Sequence, residues 1–275
     1  MNVIKFLRYP GGKRRMLGFL QEHLPTAASL RRRYVEPFVG GGAVFFKLNP
    51  ERALLSDINP DLIDLYRGIQ HSPEEVWNRY CAFGSGKAEY RRIRDADPPE
   101  FFVDRAARVL FLNRTCFKGM WRHNQEGKFN VGYGGQDRRW VISLDDLVGV
   151  ARTLRGVELR CCDFEEAIAD CKSGDFVFAD PPYRPGEIEL TNDHYIGGRF
   201  SFEHHRRLAS VLRDAKKRGI MWALTTSGHP DIVELFADSS VIKTPRGTGR
   251  RPGITVANSG EVLITSYYIR KERVQ

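Results

Sequence analysis

The chain is poor in the residues that staple or metallate a fold. Its five cysteines, Cys81, Cys116, Cys161, Cys162 and Cys171, are odd in number and form no C-x-x-C pair. Disulfide frameworks and zinc sites need such spacing, so reduced, mostly buried thiols are expected. None follows a proline, which excludes the Pro-Cys nucleophile that attacks a pyrimidine ring. His204 and His205 are adjacent, and neither His194 nor His229 belongs to an HExxH pattern, so no structural or catalytic metal is expected. No apolar run is long enough to cross a bilayer, and Met1-Asn2-Val3-Ile4-Lys5 leads into charge rather than a signal-peptide core; a cytoplasmic protein with no membrane contact is expected. Internal repeats and low-complexity tracts are also lacking.

The 275 residues, 41% of them hydrophobic, suffice for a full core in one elaborated domain or a domain with an insert. The formal net charge of +9 favours a polyanionic partner, because basic side chains gain by displacing counterions from phosphates. Tyr34-Val35-Glu36-Pro37-Phe38 reads as a strand, Val39-Gly40-Gly41-Gly42 as a tight turn, 43–48 as a helix start and Ala53-Leu54-Leu55-Ser56-Asp57 as a strand ending in an acid. Together they outline a nucleotide-binding βαβ unit in which Asp57 meets ribose hydroxyls; a solvated turn aspartate before Asn59-Pro60 is the plainer alternative. The glycines lack the G-x-G-x-x-G spacing of a dinucleotide site, and Gly11-Gly12-Lys13-Arg14 lacks the first glycine and the Ser/Thr of a Walker loop. NAD and ATP are both disfavoured.

From about 61 to 155 the pattern turns helical, notably over 101–112, and then Gly-rich and basic, as an insertion would. Strand and helix alternation resumes with strands at 157–160, 176–179, 220–225 and 261–268. Helices are expected at 202–217, with Ser201 as N-cap, and at 231–236. The run Asp175-Phe176-Val177-Phe178-Ala179 delivers Asp180-Pro181-Pro182-Tyr183 at a strand end. Each proline fixes its φ and biases the residue before it toward extended backbone, so a carboxylate, aimed carbonyls and an aromatic ring gather where a flat amine-bearing ring could be held. A Pro-Pro pair can also merely end a strand. The second copy, Asp97-Pro98-Pro99-Glu100, has neither strand nor aromatic beside it and reads as a loop.

Taken in order, Phe6-Leu7-Arg8-Tyr9-Pro10-Gly11-Gly12-Lys13, 35–42, Ser56-Asp57-Ile58-Asn59, Leu112-Asn113-Arg114, 119–124, Gly127-Lys128-Phe129-Asn130-Val131 and 180–183 resemble the Dam-like D12 class of DNA N6-adenine methyltransferases over nearly the whole chain. The resemblance implies a doubly wound, Rossmann-like α/β sheet that binds S-adenosylmethionine, formed by 1–63 and 155–275, with a mainly helical target-recognition domain at 64–154. It implies cofactor contacts from Tyr9, Lys13, Phe38, Gly40, Asp57, Asp163, Phe164 and Asp180, and catalysis by Asp180, Pro181, Pro182 and Tyr183 on an adenine flipped from duplex DNA. Arg8, Phe117, Lys118 and Arg122 are the equivalents of DNA contacts. Asn124, Tyr133, Arg138 and Arg139 complete the expected DNA-binding set. Relatives that read GATC carry asparagine where Lys118 stands and Phe-Gly-Arg where this chain has Tyr133-Gly134-Gly135, so the recognition sequence stays open, as does the oligomeric state; a single copy on double-stranded DNA satisfies the pattern. Lys243 to Arg251 reads as a basic loop that either grips phosphate or is merely solvated. Competing readings are an RNA adenine or protein amide N-methyltransferase and a catalytically silent DNA-binding regulator.

Overall fold

The computed structural model describes residues 6–9, 12–124, 126–135, 139–183, 192–195, 198–248 and 255–268. After helix α1 (Leu17–His23) the chain enters strand β1 (Tyr34–Glu36), turns into α2 (Ala43–Leu48) and returns as β2 (Ala53–Asp57). Four helices follow: α3 (Pro60–His71), α4 (Pro73–Ala82), α5 (Gly86–Asp95) and α6 (Phe102–Thr115). An irregular, bridge-linked stretch then leads to α7 (Leu144–Thr153). The chain continues as β3 (Glu158–Cys161), α8 (Phe164–Ala169), β4 (Phe176–Ala179), β5 (Asn192–Tyr195), β6 (Gly198–Phe200), α9 (Phe202–Lys217), β7 (Met221–Ser227) and α10 (Pro230–Glu234). Strands β8 (Ser240–Lys243), β9 (Arg246–Thr248), β10 (Thr255–Ala257) and β11 (Glu261–Thr265) complete it.

Seven strands form one sheet in the order β3-β2-β1-β4-β7-β11-β8. The first five are parallel to their neighbours, whereas β11 runs antiparallel to both β7 and β8. Every residue of β1, β4 and β11 is buried, the signature of strands covered on both faces. Alternate side chains go to opposite faces. Tyr34, Leu55, Phe176 and Phe178 join one hydrophobic cluster. Val35, Leu54, Val177 and Ala179 join the other, under α8 and α9. The first cluster does not stop at the sheet: it runs through Ile63 and Tyr66 of α3 and Ala107 and Leu110 of α6 to Leu147 and Val150 of α7. The helical stretch 64–154 therefore shares its core with one sheet face.

The apolar runs fold where the sequence places them, with ends moved by a residue or two. Other segments differ more, and β8, at one edge of the sheet, and the β5–β6 pair are strands that the sequence pattern did not announce. Tyr267 and Tyr268 are not in β11, because Thr265 Oγ1 donates to Tyr267 O at 2.7 Å and bends the chain out of the ladder. The basic stretch after Lys243 is not simply a loop: Arg246–Thr248 pairs antiparallel with Thr255–Ala257. Asp97, Pro98 and Pro99 lie outside helix and strand, as expected. The cysteines are free; Cys116 and Cys171 are buried, Cys81 and Cys162 half-buried, and Cys161 exposed, more open than a set of buried thiols. Among the described residues no helix is long and apolar enough to cross a membrane.

Candidate active site

The strand order reverses between β1 and β4, which are parallel neighbours whose next strands leave to opposite sides. Open α/β sheets bind ligands in the crevice at such a switch point, beyond the carboxyl ends of the strands. Two groups of expected residues meet there.

The first group surrounds the glycine turn. Gly40 and Gly42 have φ of +45° and +62°, and a Cβ on Gly42 would stand 2.9 Å from both the Phe46 ring and the Tyr66 hydroxyl, so a larger residue would be strained and crowded. The turn is held from three sides. Gly40 N–H donates to Asp57 Oδ2 at 3.1 Å, Asn59 N–H donates to Asp57 Oδ1 at 3.0 Å, and the Tyr66 hydroxyl donates to Gly40 O at 2.9 Å. Tyr9 covers the turn, its Cδ1 3.1 Å from where a Gly40 Cβ would be, and its hydroxyl takes a 3.5 Å hydrogen bond from Asn59 Nδ2. Asn59 also caps α3 by accepting from Asp61 N–H at 3.1 Å, next to Pro60 in the first turn. Tyr9, Gly40 and Asp57 are thus brought together. Burial lifts the Asp57 carboxyl to about 6, against the downward pull of the Asn59, Gly40 and Ile58 amides.

Glu36, unassigned from sequence, ends β1 fully inside the protein at 3% exposure. The Tyr34 hydroxyl donates to its Oε2 at 2.7 Å, both residues lying on one face of the strand. Burial carries its carboxyl from 4.5 to about 8, the Tyr34 bond lowers it, and Asp180 raises it again. A carboxyl raised on folding favours the native state while protonated; its contribution is complete below the unfolded value and is lost as pH rises through the folded one. We therefore expect stability to fall between about pH 4.5 and about 8 and Glu36→Gln to flatten that slope, read as urea midpoints across the range. A slope unchanged in the variant would remove Glu36 from the account.

Phe38, Asp163 and Phe164 form a neighbouring cluster. Asp163 caps α8, its Oδ1 accepting Glu165 N–H at 2.9 Å and Arg207 Nη2 at 2.6 Å. Phe164 is only 1% exposed; its ring stacks on Phe38 at 5.3 Å, and the Arg207 guanidinium lies 4.7 Å from its centre. Of the two rings, half-buried Phe38 is the more accessible. Arg207 sits on a helix whose amphipathic pattern gave no sign that it would reach these residues.

The second group is the strand-end tetrad. Asp180 Oδ1 receives the Lys13 ammonium at 2.6 Å and the Thr225 hydroxyl at 2.7 Å. Lys13 is 4% exposed and also lies 4.9 Å from the centre of the Tyr183 ring. Lys13 therefore joins the tetrad, a placement the Gly-Gly-Lys run alone did not specify. Pro181 is buried, and Pro182 and Tyr183 are half-buried. Burial first, then the Glu261 carboxylate and Asp180, hold the Tyr183 phenol well above its usual range. Glu261 begins β11 and is 2% exposed.

Apart from Arg8, near the start of the chain, the expected DNA-contacting residues follow α6. Arg8 is stitched to this region by two bonds with Asn113: Arg8 N–H donates to Oδ1 at 2.9 Å and Asn113 Nδ2 donates to Arg8 O at 2.6 Å. Gly119, with φ of +69°, makes room for it, since a Cβ there would stand 2.4 Å from Arg8 Cβ. Phe117 is 47% exposed with Lys118 Nζ 5.3 Å from its ring centre. Arg122 is exposed and donates to Asn130 Oδ1 at 2.9 Å. Asn124 turns the chain, its Oδ1 accepting the Glu126 and Lys128 amides at 3.1 and 2.9 Å. Tyr133 is half-buried against Tyr90, their ring centres 5.4 Å apart. His123 ties this stretch to α3 through Asp61 Oδ2 at 2.9 Å. Arg139 opens a short 3-10 turn, and Arg138 lies outside the described residues. Among the described residues no His, Cys, Asp and Glu cluster has the arrangement of a metal site.

A family model described as D12 class N6 adenine-specific DNA methyltransferase matches residues 9–246. A protein of Escherichia phage P1 named DNA N-6-adenine-methyltransferase is 38% identical over 237 residues; the match takes in 84% of this chain but only 31% of that protein. The type II methyltransferase M.MjaIII of Methanocaldococcus jannaschii is 30% identical over 297 residues, covering 97% of this chain and all of its own length. The DNA adenine methylase of Vibrio cholerae serotype O1 is 31% identical over 253 residues, or 89% of this chain and 90% of that one. With a mostly parallel sheet, a glycine turn and an Asp-Pro-Pro-Tyr strand end meeting at its switch point, and a family match spanning most of its length, the chain belongs to the D12 class of N6 adenine-specific DNA methyltransferases.

Proposed function

We propose that this chain transfers a methyl group from S-adenosylmethionine to N6 of an adenine flipped out of duplex DNA. The observation that carries the reading is Asp180, anchored through Oδ1 at the switch point beside Tyr183 and next to the glycine turn. The exocyclic amine of adenine is a poor nucleophile because its lone pair is delocalised into the ring. Asp180 and the Pro181 carbonyl would accept hydrogen bonds from its two hydrogens and draw the lone pair onto nitrogen, stabilising the charge that develops as the N–C bond forms; the one N6 proton displaced by the methyl group then passes to solvent. With both donors among the described residues on Oδ1, Oδ2 is the oxygen left for that task. Tyr183 offers a ring to stack on a base that has left the duplex, the geometry that chemistry on a paired base demands.

The residues beside the tetrad fit the cofactor. The Asp57 carboxylate retains lone pairs for ribose hydroxyls after binding Gly40 and Asn59, Tyr9 walls the turn, and Phe38 presents an aromatic face. When bound, S-adenosylmethionine supplies an electrophilic methyl group on sulfur and leaves as a neutral thioether. Much of the remaining rate enhancement then comes from holding two reactants in line.

Transfer of a tritiated methyl group to unmethylated duplex DNA, RNA and protein separates the readings. Label in DNA, recovered as N6-methyladenine, is expected. Label confined to RNA or protein would point to an RNA adenine or protein amide methyltransferase, and label in none to a silent DNA-binding protein. At the DNA face, Arg122 is free to swing from Asn130 because it is exposed. Arg122→Ala is expected to relax base choice at one position by about 1–3 kcal/mol, measured by competition among substituted duplexes. A uniform loss of affinity with unchanged preference would make Arg122 a phosphate contact.

A further inference from the structure

Thr225 lies within β7, wholly buried, between the partners of its neighbours on β4 and its own partner Leu263 on β11. Its hydroxyl is 2.7 Å from Asp180 Oδ1 and 3.5 Å from Ala179 O. A hydroxyl has one proton to donate, and the short bond to a charged acceptor takes it. A buried threonine needs only one partner, and a backbone carbonyl would satisfy it; here the hydroxyl is spent on the reacting carboxylate.

Lys13 and Thr225 do different work on that oxygen. Lysine is a compact charge on a long, flexible stem, so it neutralises without fixing direction. Threonine is β-branched and stiff at χ1, and Thr225 is set in the middle of a buried strand. The direction of the carboxylate plane is therefore set from β7. We infer that Thr225 is a positioning residue for the methyl transfer, holding Asp180 Oδ1 so that Oδ2 and the Pro181 carbonyl face the amine together. The inference rests on the proposed reading of the site as an adenine methylating centre.

The test compares wild type, Thr225→Val and Thr225→Ser as full chains on unmethylated duplex DNA in single-turnover and steady-state assays, with S-adenosylmethionine binding followed by tryptophan fluorescence. Thr225→Val keeps the shape and removes the donor; kcat is expected to fall about 10- to 100-fold, the scale of a misaimed reacting group, with cofactor affinity and KM for DNA within about twofold. Thr225→Ser returns the hydroxyl and should bring kcat back to within about threefold of wild type. Unchanged kcat in Thr225→Val would overturn the inference while leaving the methyltransferase reading in place. So would equal losses in the valine and serine variants, or a loss of cofactor binding that accounts for the whole effect. Failure of the wild-type chain to methylate adenine in DNA would overturn the reading and the inference with it.

Discussion

Asp180→Ala is expected to lower kcat by about 10³-fold or more, the scale seen when a group aimed at developing charge is removed, while binding to duplex DNA stays within a few-fold. Nothing else described at the switch point can replace its acceptor. On the proposed reading the Pro181 carbonyl accepts a hydrogen bond from only one amine hydrogen, and Tyr183 offers a ring and a phenol that stays protonated. Single-turnover methylation, together with separate binding measurements on duplex DNA, distinguishes lost chemistry from lost affinity. Turnover near wild type would sink the mechanism, because the amine would then need no carboxylate.

Lys13→Met should have the second largest effect, and on two quantities at once. The ammonium is almost wholly buried and its partner Asp180 is 18% exposed. Removing one member of a buried pair leaves the other charge uncompensated, at a cost of about 3–5 kcal/mol in full burial; partial solvent access and the Thr225 hydroxyl reduce this to about 2 kcal/mol. The carboxylate would also lose half of its anchoring, so kcat should drop about 10²-fold. The telling comparison adds Asp180→Asn. If the pair is as described, Lys13→Met with Asp180→Asn is more stable to urea than Lys13→Met alone, because no unpaired charge remains. Simple additivity of the two substitutions would mean that they do not interact.

The sheet was readable from sequence for a physical reason. Phe176–Ala179 and Ala53–Leu55 are unbroken apolar runs because both faces of a central parallel sheet are covered, and such runs ending in Asp or Asp-Pro-Pro mark strand ends. The glycine turn was readable because few residues other than glycine adopt its φ values. What stayed hidden depends on pairs far apart in the chain. Nothing local in Gly12-Lys13-Arg14 reveals that Lys13 meets Asp180, and Thr225 reads as one more residue of an apolar strand. Glu36 did carry a signal, an acid closing a buried strand just before the glycine turn. Phe164, named only through the family resemblance, lies in the second hydrophobic cluster with its ring against Phe38, a pairing of distant residues that local sequence does not announce. Strand pairing at Arg246–Thr248 was missed because Gly-rich basic sequence carries no alternation.

The hydrophobic cluster that runs unbroken from the sheet into α3, α6 and α7 constrains how a new target site can be acquired. A chimera that exchanged the whole of 64–154 with a distant relative would have to rebuild the packing of α3 on β2 and β3 and the apolar cluster that continues from it through α6 and α7. The exposed positions at Phe117, Lys118 and Arg122 carry no such obligation. On the proposed reading of these positions as DNA contacts, a change of sequence preference is cheapest by substitution at the exposed loop positions, while the helices beneath them stay tied to the sheet.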